Sequence, residues 1–246
     1  MTKEAISKLL VENGLAESEK KAIALVMAGV VLVNEKRVEK PSERFSPTGS
    51  IRIKGRSEAS KYVGRGALKL AGALDEFNIC ANEYVCLDVG SSTGGFTDCL
   101  LQRGAGKVYA VDVGTNQLAW ELRNDPRVVV RENVNARYLR PGDFAELFDL
   151  IVMDVSFISV TKILPSLVEL LKDSGRMIVL IKPQFEVPKG EVGKGGIVLD
   201  PAKHARVVEK VKSFAEKLGL KVSGVTESPI TGGGGNKEFL ALYEKN

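Results

Sequence analysis

The feature that most restricts the fold is an alternation of strand-like and helix-like segments running from about residue 67 to the C-terminus. A segment of helical spacing at 67–77 precedes the aliphatic run 84–89, and a second helix at 95–103 precedes the run 107–112. Val128-Val-Val-Arg131 and the run 148–154 follow as further strands, and a helix expected over 161–172 leads to the strand 176–182. Asp200-Pro201 supplies a cap and a first-turn proline for a helix reaching Leu218. Two last strands, about 220–226 and 238–244, flank Gly232 to Gly235. Strands separated by helices in this order pair side by side with helices on both faces. Seven such strands describe an α/β chain with a doubly wound, Rossmann-type sheet.

The first 55 residues follow another pattern. Ile6, Leu9, Leu10 and then Ala22, Leu25, Val26 recur at helical spacing, predicting helices over 4–13 and 18–28, the first ended by Gly14 and the second capped by Ser18. Val30 to Val38 predicts a tight hairpin turning near Asn34-Glu35, and Ser50-Ile-Arg-Ile-Lys54 one more short strand. Two helices and a small sheet make a compact α+β module at 1–55. The Gly-, Ser-, Lys- and Arg-rich stretch at 56–66 predicts a linker, and 67–246 the doubly wound domain.

Charge divides along the same line. The chain carries +4 overall, but residues 1–70 hold 14 Lys/Arg against 8 Asp/Glu, and the remainder 21 against 23. That asymmetry suggests that the N-terminal part meets a polyanion, the plain alternative being a solvated basic face. The N-terminus is charged almost at once, and the longest uncharged apolar run, Ala22–Val33, is too short to span a bilayer. With Cys80, Cys86 and Cys99 odd in number and matching no zinc spacing, the expectation is a cytoplasmic protein with reduced thiols, no metal and no membrane partner.

Asp88-Val-Gly90-Ser-Ser-Thr-Gly94-Gly95-Phe directly follows the first strand of the alternation and opens a helix. Glycines here let the backbone turn sharply against a ligand. The spacing differs from Gly-x-Gly-x-x-Gly, whose close glycines admit a pyrophosphate. It suits S-adenosylmethionine, which has no phosphate and needs an acid near its ammonium group. Asp88, Gly90, Ser91, Ser92, Gly94, Gly95 and Phe96 are the candidate contacts of this turn. Asp112 ends the next strand, 18 residues past Gly94, where a carboxylate can take both ribose hydroxyls of a nucleoside ligand. Asn133, with Glu132 and Asn135, follows the third strand and can edge an adenine, although loop caps are the simpler account of these three. For either motif alone, incidental turn glycines or a surface aspartate would suffice as an explanation.

In an open parallel sheet, ligands bind outside the carboxyl ends of the strands. Asp154 ends the fourth strand, Lys182 ends the fifth, and Glu238 begins the last, which lies at the same edge if that strand runs antiparallel. Lys69, on the helix before the first strand, can reach over this edge. A surface salt-bridge cluster would account for any pair of the four; their convergence from four places favours a reaction centre. Transfer of a methyl group to a ribose hydroxyl needs an amine as base or as stabiliser of the developing alkoxide. Lys182 is the candidate for either role, with Lys69 lowering its pKa and Asp154 and Glu238 orienting both amines.

Lys69, Asp154, Lys182 and Glu238 resemble the Lys-Asp-Lys-Glu tetrad of FtsJ-like ribose 2'-O-methyltransferases. Lys61-Tyr-Val-Gly-Arg-Gly-Ala-Leu-Lys-Leu, the Asp88 turn, Asp154-Val-Ser-Phe-Ile-Ser and Lys182-Pro-Gln-Phe-Glu look like the TlyA, or hemolysin A, family of rRNA (cytidine-2'-O)-methyltransferases. The resemblance covers essentially the whole chain. It implies a Rossmann-like class I methyltransferase with a seven-stranded, mostly parallel sheet behind an S-four-type RNA-binding domain. It further implies S-adenosylmethionine as cofactor, and ribosomal RNA within a subunit or ribosome as partner. The short termini are similar to a branch associated with large-subunit rRNA. The first helix opens at Glu4-Ala-Ile-Ser-Lys, without the Arg-Leu-Asp that this RNA-binding domain often has. The RNA grip therefore falls to Lys36, Arg37, Lys40, Arg44 and Arg65.

A base N-methyltransferase would want Asp/Asn-Pro-Pro-Tyr after the fourth strand, where this chain has Asp154-Val-Ser-Phe157. A non-enzymatic RNA-binding protein would need neither the cofactor acids nor the tetrad. A pore-forming haemolysin would need a spanning segment or a long, strongly basic amphipathic helix. His204, beside Lys203 and Arg206, is expected to face solvent, Trp120 to lie in the core or form a partial lid, and 184–199 to form a long connection or substrate loop.

Overall fold

A computed structural model describes residues 3–53 and 61–245. Lys54 of the fifth expected strand, and the expected linker over 56–60, lie outside the described residues. The chain divides into two compact units, Met1–Lys61 and Tyr62–Asn246.

The first unit contains β1 (Glu4–Ala5), α1 (Ile6–Glu12), α2 (Glu19–Met27), β2 (Val31–Val33), β3 (Lys36–Arg37), β4 (Arg44–Phe45) and β5 (Ile51–Ile53). The two helices bury Ile6, Leu9, Leu10, Ala22 and Val26 against Val31, Val33, Val38 and Ile53. Each fully buried aliphatic side chain contributes roughly 1.5–3 kcal/mol, the main force holding so small a module together. Ser18 caps α2 by accepting the Lys21 amide at 3.3 Å. Asn34 and Glu35 both have positive φ (47° and 65°), the backbone that a two-residue hairpin between β2 and β3 requires. The expected helix over 4–13 starts two residues later, because Glu4–Ala5 pairs antiparallel with β4.

The second unit is a seven-stranded sheet built from β6 (Val85–Val89), β7 (Lys107–Val111), β8 (Val128–Arg131), β9 (Phe148–Met153), β10 (Leu171–Ile181), β11 (Leu220–Glu227) and β12 (Phe239–Lys245). Their order is β11-β12-β10-β9-β6-β7-β8. Five neighbouring strands run parallel, and β12 is antiparallel to both β10 and β11. Alternate side chains feed two cores: Leu87, Val89, Ile151, Met153, Val179 and Ile181 face one side, and Cys86, Leu150, Val152, Ile178 and Leu180 the other. Burial on both faces explains why these strands read as continuous apolar runs. Helices α3 (Ala67–Glu76), α4 (Gly95–Gln102), α5 (Trp120–Arg123), α6 (Leu164–Val168), α7 (Pro183–Glu186) and α8 (Pro201–Lys217) join and cover them.

Two expectations need correction. In place of one helix over 161–172 there is a 3₁₀ turn at Val160–Lys162, then α6, and by Leu171 the chain is already in β10, paired with Phe148. A shift of register before Arg176 takes up the irregular Asp173-Ser174-Gly175 stretch. His204 does not face solvent. It is 6% exposed, since His204, Val207, Val211 and Ala215 form the buried stripe of α8, and its Nε2 lies 2.7 Å from the Val198 carbonyl oxygen. Trp120, by contrast, is 75% exposed. No described helix is long and apolar enough to cross a membrane.

Candidate active site

The glycine turn between β6 and α4 is shaped by what packs against it. Gly90 has φ +83°, and a Cβ there would fall on the Asp154 carbonyl oxygen. Gly94 has φ +100° at the N-terminus of α4, and a Cβ would strike Leu118 and Leu122. Both positions demand glycine for backbone conformation and for space. The turn is held down by backbone bonds from Gly90 and Ser91 to the Val111 carbonyl, at 2.8 and 3.1 Å.

Beside the turn, at the carboxyl ends of the parallel strands, lie two adjoining cavities. The larger, about 530 Å³, is lined by Gly90, Ser92, Asp112, Val113, Val134, Asn135, Arg137, Asp154, Phe157 and Ile158 among others. The smaller, about 230 Å³, is lined by Gly66, Ser91, Thr93, Gly95, Phe96, Lys182 and others, sharing Gly90, Ser92, Asp154 and Ser156 with its neighbour. Asp112 accepts the Ser92 amide at 2.8 Å on one oxygen and the Gly114 amide at 2.7 Å on the other. Asp88 lines neither cavity. It is fully buried beneath the turn, its Oδ2 accepting the Thr97 hydroxyl at 2.7 Å and its Oδ1 left without a partner. Burial pushes its carboxyl up to about 7, against the opposing effect of Thr97 and with further upward pressure from Asp154. Asn133 turns away from the cavities to accept the Thr115 hydroxyl at 2.8 Å, and Glu132 pairs with Arg123 at 2.6 Å. Of the three residues after β8, Asn135 is the one on the cavity wall.

The four charged residues form one continuous chain. Pairing of Ile181 with Phe239 across β10 and β12 sets Lys182 beside Glu238 at the sheet edge. Glu238 is 2% exposed and holds the Lys69 Nζ at 2.6 Å. Asp154 bridges the two amines, with Oδ2 3.9 Å from Lys69 Nζ and Oδ1 2.6 Å from Lys182 Nζ. A carboxylate thus stands between the lysines, so Lys69 acts on Lys182 through Asp154. Lys182 also donates to the Ser156 hydroxyl at 2.9 Å. Buried charges are tolerated only when paired in this way, and each ammonium here has a carboxylate partner. Lys182 reaches the cavity wall; Lys69 and Glu238 stand behind it. Ser156 and Gln184 stand in stretches that carry the family resemblance, but no pattern singles either out: the part of Ser156 depends on the path of the loop leaving β9, and Gln184 lies 3.5 Å from Glu238.

Lys36, Arg37, Lys40 and Arg44 are all exposed in the first unit, and Arg65 is exposed in the second, on the turn before α3. Arg44 donates to the Lys3 carbonyl at 2.8 and 3.1 Å. Phe157 is 90% exposed on the wall of the larger cavity, has φ +66°, and lies 5.2 Å from the Phe185 ring. Among the described residues no cluster of His, Cys, Asp or Glu could hold a metal ion.

The model of the FtsJ-like methyltransferase family matches residues 62–245. The chain is 48% identical over 231 residues to the 16S/23S rRNA (cytidine-2'-O)-methyltransferase TlyA of Mycobacterium tuberculosis, covering 94% of this chain and 86% of that protein. It is 44% identical over 232 residues to Hemolysin A of Brachyspira hyodysenteriae, covering 94% and 95% of the two. Among solved structures, a Streptococcus thermophilus chain that carries a hemolysin name superposes with a TM-score of 0.76 at 46% identity, over 100% of this chain and 90% of that one. The stretch matched by the family model contains the glycine turn, both cavities and all four paired charges, and the chain belongs to the FtsJ-like methyltransferases.

Proposed function

We propose that the chain transfers a methyl group from S-adenosylmethionine to the ribose 2'-hydroxyl of a cytidine in ribosomal RNA. The observation that carries this is the chain of paired charges Glu238–Lys69–Asp154–Lys182, ending in an amine on the wall of the cavities. The residues present fit the cofactor. Asp112 and Asn135 edge the larger cavity, where a ribose and an adenine need polar contacts, and Val113, Val134 and Ile158 offer apolar cover for a purine. Gly90, Ser91, Ser92, Gly95 and Phe96 would hold the amino-acid end. S-adenosylmethionine supplies an electrophilic methyl group.

The transfer breaks a sulfonium S–CH₃ bond, forms an O–CH₃ bond and releases the hydroxyl proton. Lys182 is the group of this chain placed to meet that oxygen, accepting the proton when neutral or stabilising the alkoxide when charged. Asp154 and Ser156 fix the amine, and Lys69 and Glu238 fix Asp154. Phe157 presents a bare ring where a base drawn out of a stacked RNA would lie. The first unit, with Lys36, Arg37, Lys40 and Arg44, serves as the S-four-type RNA-binding domain, and Arg65 adds to the grip from the second.

The test is transfer of labelled methyl groups to separated ribosomal subunits that lack the modification, with wild type and Lys182→Ala compared. Label on a ribose 2'-oxygen, lost in the variant while cofactor binding persists, upholds the assignment and identifies the subunit. Label on a base, or equal transfer by the variant, overturns it.

A further inference from the structure

Glu186 takes no part in the transfer described above, yet its side chain is 1% exposed. It ends the short helix α7 that begins just after Lys182. Its Oε2 accepts the Ser159 hydroxyl at 2.6 Å, and its Oε1 accepts the Val160 amide at 2.7 Å. Both donors stand on the loop that leaves β9, a few residues beyond Asp154, Ser156 and Phe157. Lys210 of α8 donates to the Glu186 carbonyl at 3.0 Å, and its Nζ lies 3.6 Å from Oε2.

A buried carboxylate is an inefficient way to stabilise a fold, since apolar residues of the same volume commonly do as well or better. Its position gives it another use. Strands β9 and β10 are neighbours in the sheet, and the loops leaving them carry the two halves of the reaction centre. The loops are joined by polar contacts at two places, and the rings of Phe157 and Phe185 also meet across them at 5.2 Å. Near the cavities, Lys182 reaches Asp154 and Ser156. Further along both loops, Glu186 reaches Ser159 and Val160. Ser159, Val160 and Glu186 line neither cavity, so any effect of the second joint on the first is exerted without touching a ligand.

We propose that Glu186 is a positioning residue, whose carboxylate fixes the separation of the two loops and so aligns the Lys182 amine with the acceptor hydroxyl. This rests on the ribose methyltransferase assignment. The full-length chain with Glu186→Ala, Glu186→Gln or Ser159→Ala is assayed for single-turnover methyl transfer and, separately, for cofactor affinity by direct titration. Misplacement by an ångström costs on the order of a hundredfold in rate, and that is the loss expected for Glu186→Ala. Glu186→Gln keeps an acceptor for the Val160 amide but loses the charge facing Lys210, and Ser159→Ala removes one of the two bonds to the Glu186 carboxylate along with the Ser159 contacts to Thr161, so both fall between wild type and the alanine variant. Cofactor affinity stays within about twofold in all three, because the interaction lost belongs to the transfer step alone.

A purely structural Glu186 would lower the melting temperature and leave the rate of the folded variants unchanged, which overturns the proposal. Parallel loss of rate and cofactor affinity also overturns it. Should Glu186→Ala fail to fold, the other two variants decide: wild-type rates in both refute the role, and reduced rates at constant affinity uphold it. Absence of transfer by the wild type in the same assay strikes instead at the functional assignment.

Discussion

Asp88 shows how a residue can shape a turn beside the cavities without lining either of them. It lies wholly buried under the glycine turn, one oxygen bonded to Thr97 and the other unmatched, and burial lifts its carboxyl to about 7. The native state therefore holds a proton between about pH 4 and pH 7 that the unfolded chain has already released. Stability falls as pH rises through that window, by up to roughly 1.4 kcal/mol per pH unit, and levels off above it. Asp88→Asn, neutral at every pH, should lack this loss; between about pH 4 and pH 8, urea titrations should show wild type losing stability that the variant keeps. An equal pH dependence would show that Asp88 ionises freely. Gly232 makes a second case. A Cβ there would fall on the Glu238 carboxylate, which is buried and held by Lys69. Gly232→Ala should move that carboxylate, costing about 1–3 kcal/mol in stability and about tenfold in the transfer rate. A wild-type rate would mean that Glu238 is not needed where it stands.

At the scale of elements, the same physics decides what can be foreseen. The strands of the parallel sheet were legible because burial on both faces leaves uninterrupted runs of Val, Ile and Leu. Asp112, Asp154 and Lys182 were legible as candidates because each sits where such a run stops, and Asp88 because it heads the glycine turn. Asp200-Pro201 announced α8, and the Asp200 carboxylate accepts the Ala202 amide at 2.9 Å. Asp200→Ala should cost ~1 kcal/mol in chemical denaturation with the transfer rate unchanged; a lost rate would tie α8 to the site. What stayed hidden depends on loops. Leu171 pairs with Phe148 through tertiary contact, and nothing local to Leu170-Leu-Lys-Asp distinguishes that from a helix end. Asn135 was one of three polar residues after β8 that sequence could not tell apart, and Ser156 and the aliphatic cavity wall have no spacing of their own, because irregular backbone brings them to the site. His204 looked polar among Lys203 and Arg206, and only the stripe it shares with Val207 and Val211 gave the buried face away.

At the scale of the whole molecule, the two cavities and the exposed hairpin cations fall in different units. Every residue on the two cavities lies within 62–245, whereas Lys36, Arg37, Lys40 and Arg44 belong to the first unit. If the first unit supplies grip and the second supplies chemistry, the two functions should respond to different perturbations. Cations meeting phosphates displace counterions, so RNA affinity should fall steeply with salt while affinity for S-adenosylmethionine hardly changes. For single-stranded RNA each phosphate contact contributes about 0.7 to the slope of log affinity against log salt. Lys36→Glu with Arg37→Glu should weaken rRNA binding by about tenfold or more and reduce that slope by roughly 1–2. The cofactor dissociation constant should stay at its wild-type value, and so should the rate of transfer at saturating RNA. A filter-binding series across salt concentrations, paired with single-turnover assays at high RNA, separates the outcomes. Unchanged RNA affinity would place the grip elsewhere, with Arg65 the first residue to test; a lost rate at saturating RNA would mean that the hairpin cations also help to present the ribose.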